Sequence, residues 1–242
     1  MPVIYEPKGK AREYSELACN LYTGCSHRCQ YCYCPSIMRK KLDEWADNPH
    51  PRTRILKQIE NDLKKMSDKE KNKELLFCFM SDPYQSEEAA FLTRRALLLC
   101  EKYKMSNIQV LTKAGFRAVN DFDIFQRNKN WKFASTIIFR NEELRKIWEP
   151  GAPSISSRYE AVKIAKKLKI KTWVSVEPVI KTDEAIKVME DLKGYVDLWK
   201  VGKLNHNAEI ESKINWKKFY SDSKKVLKKE NVYWKKDLIK FA

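Results

Sequence analysis

Gly24-Cys25-Ser26-His27-Arg28-Cys29-Gln30-Tyr31-Cys32 sets three cysteines in a C-x3-C-x2-C run directly after the apolar segment Leu17-Ala18-Cys19-Asn20-Leu21-Tyr22. A short apolar segment ended by Thr23-Gly24 reads as a strand running into a loop. Three thiolates on one loop hold three irons of a cubane and leave the fourth iron for an outside ligand. The amine and carboxylate of an amino acid suit that open iron. The competing reading of the same cysteines is zinc, which usually takes four ligands in two separated pairs. Cys19, Cys34 or His27 would then supply the fourth.

Outward from this loop, strand-like and helix-like segments alternate. A helix from about Thr53 to Met66 leads to a strand at Leu75–Met80, then a helix at Glu87–Tyr103. Ile108–Leu111 precedes a helix near Val119–Arg127, and Trp131–Phe139 precedes Glu142–Trp148. After the Glu149-Pro150-Gly151 turn come a helix at Ser157–Lys167, a strand at Thr172–Val176, a helix at Asp183–Leu192 and a strand at Val196–Val201. A helix near Trp216–Lys229 and a short strand at Val232–Trp234 end the chain.

Repeated strand-helix units imply parallel strands with right-handed crossovers, in a barrel or a doubly wound sheet. Both carry their sites at the C-terminal ends of the strands. Each strand here is followed at once by groups able to do chemistry: Thr23-Gly24-Cys25, Ser81-Asp82, Thr112-Lys113, Arg140-Asn141, Glu177-Pro178, and Lys203 with Asn205 and His206. Six units fall short of a closed eight-unit barrel. The expected fold is therefore α/β, a partial (β/α)6 TIM-like barrel with a wide mouth. It forms one domain over 1–242, with 1–16 as an extension, 17–202 as the core and 203–242 as a closing helix and short strand.

The 242 residues are enough to bury a sizeable core without disulfides. Five of the seven cysteines crowd between Cys19 and Cys34, which suggests a metal site. No apolar run approaches the roughly 18 residues of a membrane helix, and mean hydropathy is -0.62. The first residues lack the features of a secretory signal, so a cytoplasmic location is expected. The balance of 48 basic to 32 acidic residues gives +16 and favours a polyanionic partner such as nucleic acid. A solvated lysine-rich surface reads the same charge without a partner.

The cysteine run, with an aromatic before its third cysteine, resembles the signature of radical S-adenosylmethionine enzymes. Asn20 to Tyr33, then Ser81-Asp82-Pro83-Tyr84-Gln85, Thr112-Lys113, Glu149-Pro150 and Arg158, is similar to the spore photoproduct lyase-like branch over roughly residues 17 to 180. The resemblance implies a 4Fe-4S cluster on Cys25, Cys29 and Cys32, bound S-adenosylmethionine, and a low-potential reductant such as flavodoxin or ferredoxin. It sets Tyr31 against the adenine and gives Ser81, Lys113 and Ser135 to the methionine carboxylate and ribose. Asp82 would orient Lys113 or Arg140, and Glu177 would contact the cofactor. Arg140, Lys203, Asn205 and His206 are the candidate substrate contacts. There is one departure: where the lyase has its hydrogen-donating cysteine this chain has Phe79, and Cys78 would face the other way by strand alternation. Cys34 and Tyr84 are the candidate replacement donors.

Three functions follow as expectations. The first is hydrogen abstraction from a nucleic acid or nucleotide after reductive cleavage of S-adenosylmethionine to a 5'-deoxyadenosyl radical. The second keeps that chemistry on a protein or peptide, and the third is a non-catalytic metal-dependent nucleic-acid-binding or regulatory module.

Overall fold

Apolar runs punctuated by polar residues form the strands of the computed structural model, which describes residues 2–205 and 207–241. They are β1 (Ile4–Tyr5), β2 (Leu17–Cys19), β3 (Tyr22–Thr23), β4 (His50–Pro51), β5 (Glu74–Phe77), β6 (Asn107–Thr112), β7 (Lys132–Thr136), β8 (Lys171–Val179), β9 (Leu198–Lys203) and β10 (Val232–Trp234). Eight form one sheet in the order β1-β2-β5-β6-β7-β8-β9-β10. All neighbours in it are parallel except β1, which runs antiparallel to β2. β3 and β4 make a separate antiparallel pair. The α/β partial barrel expected from the alternation is the observed architecture.

Helices Ile55–Lys65, Glu87–Lys102, Phe122–Arg127, Ile155–Lys167, Thr182–Leu192 and Trp216–Val226 connect the strands and cover the sheet. Local chemistry sets their starts. Ser86 Oγ accepts from Ala89 N and Ser154 Oγ from Ser157 N, each filling a donor that the first turn leaves open. Strand alternation divides the core in two. Leu75, Phe77, Ile108, Val110, Phe133, Val174, Val176, Trp199 and Val201 pack with the helices. Leu76, Ala134 and Trp173 point the other way, into the barrel, where Tyr14, Phe79, Leu111 and Leu198 join them.

The segments before residue 17 and after residue 202 take part in the sheet, β1 beside β2 and β10 beside β9. β10 adds a strand beside β9 through Val232↔Trp199 to Trp234↔Val201. The N-terminal segment bridges the open side of the barrel: Ser15 Oγ donates to Glu74 O on β5, and Tyr233 Oη on β10 donates to Glu13. Among the described residues no helix is long and apolar enough to cross a membrane.

Candidate active site

The cysteine loop leaves β3 through Gly24, whose φ of +87° suits glycine and whose missing Cβ would lie 2.7 Å from Trp45 O. Two loops hold it from behind. Gln85 Oε1 accepts from Ser26 N at 2.6 Å while its Nε2 donates to Gly24 O at 3.2 Å. Gly151 N donates to His27 O, and Gln30 N to Trp148 O. A Cβ on Gly151 would meet Ser26 O at 2.0 Å. The Glu149-Pro150-Gly151 turn therefore fits closely against the backbone that carries the cysteines.

All three thiols are free. Burial pushes Cys29 up to about 12 against the opposing pull of Lys113, and a hydrogen bond with Cys34 brings Cys32 down to about 7. Among the described residues no group of three His, Cys, Asp or Glu side chains is placed to hold a single metal ion. A cubane asks for something different, one thiolate on each of three irons.

Beside the loop stand the ends of β5 and β6, tied by Asp82. Its Oδ1 accepts from Thr112 Oγ1 at 2.7 Å and from Tyr84 N at 2.9 Å, and its Oδ2 accepts from Lys113 N at 2.7 Å. His27 Nδ1 lies 3.5 Å from the same oxygen. Burial holds His27 down to about 4, so the ring is neutral. Asp82 thus builds the site and fixes where Lys113 leaves the strand. The Lys113 ammonium forms no ion pair with a described carboxylate and lies 5.7 Å from the centre of the Tyr31 ring. Burial opposes its charge, but Cys29, Glu149 and Asp82 outweigh that and raise its pKa. Ser81 Oγ is buried with no partner in hydrogen-bonding geometry.

Tyr31 donates its phenol to Glu149 Oε1, and Glu149 Oε2 lies 2.5 Å from Arg158 Nη1. Both members of this ion pair are fully buried. Burial pushes the Glu149 pKa up, yet Arg158, Lys113 and the Tyr31 bond together bring it below the ordinary value. Arg158 also donates to Pro153 O and Thr136 O, so one side chain joins the turn, β7 and Tyr31.

A family model described as the radical SAM superfamily matches residues 19–193. The chain belongs to that superfamily. Superfamily membership implies a 4Fe-4S cluster and S-adenosylmethionine, and the residues present fit them: free thiols on one loop, the Lys113 ammonium without an ion-pair partner and the buried Ser81 hydroxyl converge on one mouth. An uncharacterised protein of Methanocaldococcus jannaschii is 25% identical over 220 residues, covering 88% of this chain and 80% of its own length. A mutant of spore photoproduct lyase superposes with a TM-score of 0.69 at 13% identity, covering 96% of this chain and 79% of the other. SuiB of Streptococcus suis bound to S-adenosylmethionine superposes at 0.62 with 12% identity, over 90% of this chain and 45% of the other. Both structures show the fold of this radical SAM enzyme.

Several expected contacts lie elsewhere. Ser135 shares the helix-facing side of β7 with Phe133, whose ring packs 4.9 Å from that of Phe122, and its Oγ donates to Thr112 O. Alternation gives the inner face to Ala134 and Thr136 instead. Tyr84 Oη donates to Asp121 Oδ2 at 2.9 Å in the helix layer, away from the mouth, which removes it as a hydrogen donor. Arg140 pairs with Asp191 on helix Thr182–Leu192, outside the mouth. Lys203 is bound to Glu211, and Asn205 accepts from Lys10 Nζ and donates to Lys203 O. His206 lies outside the described residues. Glu177 does face inward but is already occupied by Tyr14 Oη, with Lys235 Nζ at 3.8 Å.

Residues the sequence reading passed over are Tyr14, Gln85, Glu149 and Arg158. The last three stood in its motifs without a role, and their order in the chain was the available signal. Tyr14 meets Glu177 at a separation of 163 residues, for which no local pattern exists.

Proposed function

We propose that Cys25, Cys29 and Cys32 hold a 4Fe-4S cluster at which S-adenosylmethionine is cleaved reductively, and that the substrate in the mouth is a nucleic acid or nucleotide losing one hydrogen atom. When bound, cluster and cofactor supply one electron and a 5'-deoxyadenosyl radical. The chain supplies position. Lys113 offers a preformed cation to the methionine carboxylate, which gives a charge-assisted bond. Ser81 offers its hydroxyl, which has no strong partner beyond the nearby Cys78 thiol, to the same ligand. Glu149, itself fixed by Arg158, holds the Tyr31 ring in one orientation for the adenine. Asp82 keeps the Lys113 backbone in place while its own oxygens stay occupied. A low-potential reductant such as flavodoxin or ferredoxin would deliver the electron.

The observation that carries this reading is the half-buried, unpaired Lys113 beside the cysteine loop. Glu149 and Asp82 favour its charge from nearby but neither forms an ion pair with it, so its donors are left for a bound carboxylate. Cys34 stays the candidate hydrogen donor. Its buried Sγ lies 3.6 Å from Phe79 O, so it reaches the stretch of chain where the lyase pattern has a cysteine.

A peptide substrate is the second reading. SuiB bound to its precursor peptide shares the fold with a TM-score of 0.63, and exposed Ile37, Met38 and Ile147 lie on segments that adjoin the cysteine loop. Membership of an enzyme superfamily displaces the non-catalytic module. Deuterium appearing in 5'-deoxyadenosine from a perdeuterated oligonucleotide supports the first reading. Transfer only from a deuterated peptide contradicts it and selects the second.

A further inference from the structure

The strands of a parallel barrel all begin at one end, so the connections that lead from helix to strand gather on the face opposite the mouth. Six such connections precede β5 to β10: residues 72–73, 103–106, 128–131, 168–170, 193–197 and 227–231. Every one contains lysine, seven in all, against two carboxylates, Asp197 and Glu230. Asp197 is taken by Lys166 from the neighbouring helix. Lys104, Lys129, Lys169, Lys193, Lys228 and Lys229 are exposed and form no ion pair with a described carboxylate.

At the mouth end Arg28, Arg117 and Lys203 hold carboxylates, Asp43 and Asp47, Glu87, and Glu211, while Lys113 forms no ion pair with a described carboxylate. Helix dipoles draw lysine to C-terminal ends and explain one per helix. They do not explain the near absence of acidic residues among them. Nor does solubility, which charge of mixed sign serves as well.

We propose that this far face is a docking surface for nucleic acid, separate from the mouth and independent of what is turned over there. Phosphates would meet the lysines. Tyr195, exposed in the connection before β9 and flanked in sequence by Lys193, would present a ring for base stacking. Charge with a single exposed ring, and no cluster of exposed apolar side chains in these connections, favours a nucleic acid over a lipid surface, which an apolar face must enter.

The test is anisotropy of a labelled single-stranded oligonucleotide across a salt series, with the full-length protein. Lys104→Gln/Lys129→Gln/Lys169→Gln/Lys193→Gln should weaken binding more than about tenfold at low salt and flatten log K against log salt by about 0.7 per lost contact. A charge-reversing glutamate set should weaken it further. Tyr195→Ala should weaken binding with the slope unchanged. Reductive cleavage of S-adenosylmethionine should persist in all of these variants, which also reports that they fold. Binding equal to wild type in the glutamine set overturns the proposal. So does binding to phosphatidylglycerol vesicles with none to the oligonucleotide.

Discussion

Replacing Arg158 with methionine tests how the site is held together. The guanidinium lies 2.5 Å from Glu149 Oε2, both groups are fully shielded from solvent, and Tyr31 hangs from the other carboxylate oxygen. Methionine fills much of the volume but leaves the Glu149 carboxylate buried beside Lys113 alone, and it strips donors from Pro153 O and Thr136 O. Breaking one side of a buried pair costs about 3–5 kcal/mol. For a chain of this size that lowers Tm by roughly 6–20 °C. The cost arises mostly from the orphaned charge, so Glu149→Gln added to Arg158→Met should recover a large part of it. Urea unfolding of wild type, both single variants and the double variant measures the coupling. A double variant whose loss equals the sum of the singles would refute the reasoning, because Glu149 and Arg158 would then act independently.

Lys113→Met should weaken S-adenosylmethionine binding by about 10- to 150-fold, the worth of a hydrogen bond to a charged group, with iron per chain unchanged; isothermal titration and iron analysis check it. Gly151→Ala, whose methyl would collide with Ser26 O, should lower cluster content measured by iron and sulfide while circular dichroism stays native. Burial raises the Glu177 pKa despite Lys235 and the Tyr14 bond. Its protonated form is therefore the one the fold favours, and its contribution is complete below the ordinary carboxylate range and is lost as pH rises through the raised value. Glu177→Gln keeps an acceptor for Tyr14 without titrating, so urea unfolding should show it gaining on wild type as pH rises above the ordinary carboxylate range; a gap that narrows contradicts the assignment. Tyr84→Phe should cost about 1 kcal/mol through the Asp121 bond and leave 5'-deoxyadenosine yield untouched.

The parallel core was legible because its strands are apolar on both faces and end in polar groups. β6 extends the expected Ile108–Leu111 by one residue at each end. Boundaries moved where side chains replaced the ladder. The first strand was expected to reach Tyr22 but β2 stops at Cys19, since Asn20 Oδ1 takes Phe79 N and Met80 N for itself. β8 was expected to end at Val176, yet it continues through Glu177 and Pro178 to Val179, where it pairs with Lys203. The positions of the cysteine run, Ser81 and Lys113 at the strand ends could be read from the sequence. Ser135 was misplaced because a single residue of parity decides which face a strand residue takes. The entry of Tyr14 into the barrel depends on contacts with β8 and with Lys235 near the other chain end, and no local pattern encodes those.

The cysteine loop carries the account, and anaerobic reconstitution tests it most directly. Wild-type protein supplied with iron, sulfide and dithionite should turn brown and convert S-adenosylmethionine to 5'-deoxyadenosine, and Cys29→Ala should do neither. A colourless wild type holding one zinc per chain, or undiminished 5'-deoxyadenosine from Cys29→Ala, would contradict it.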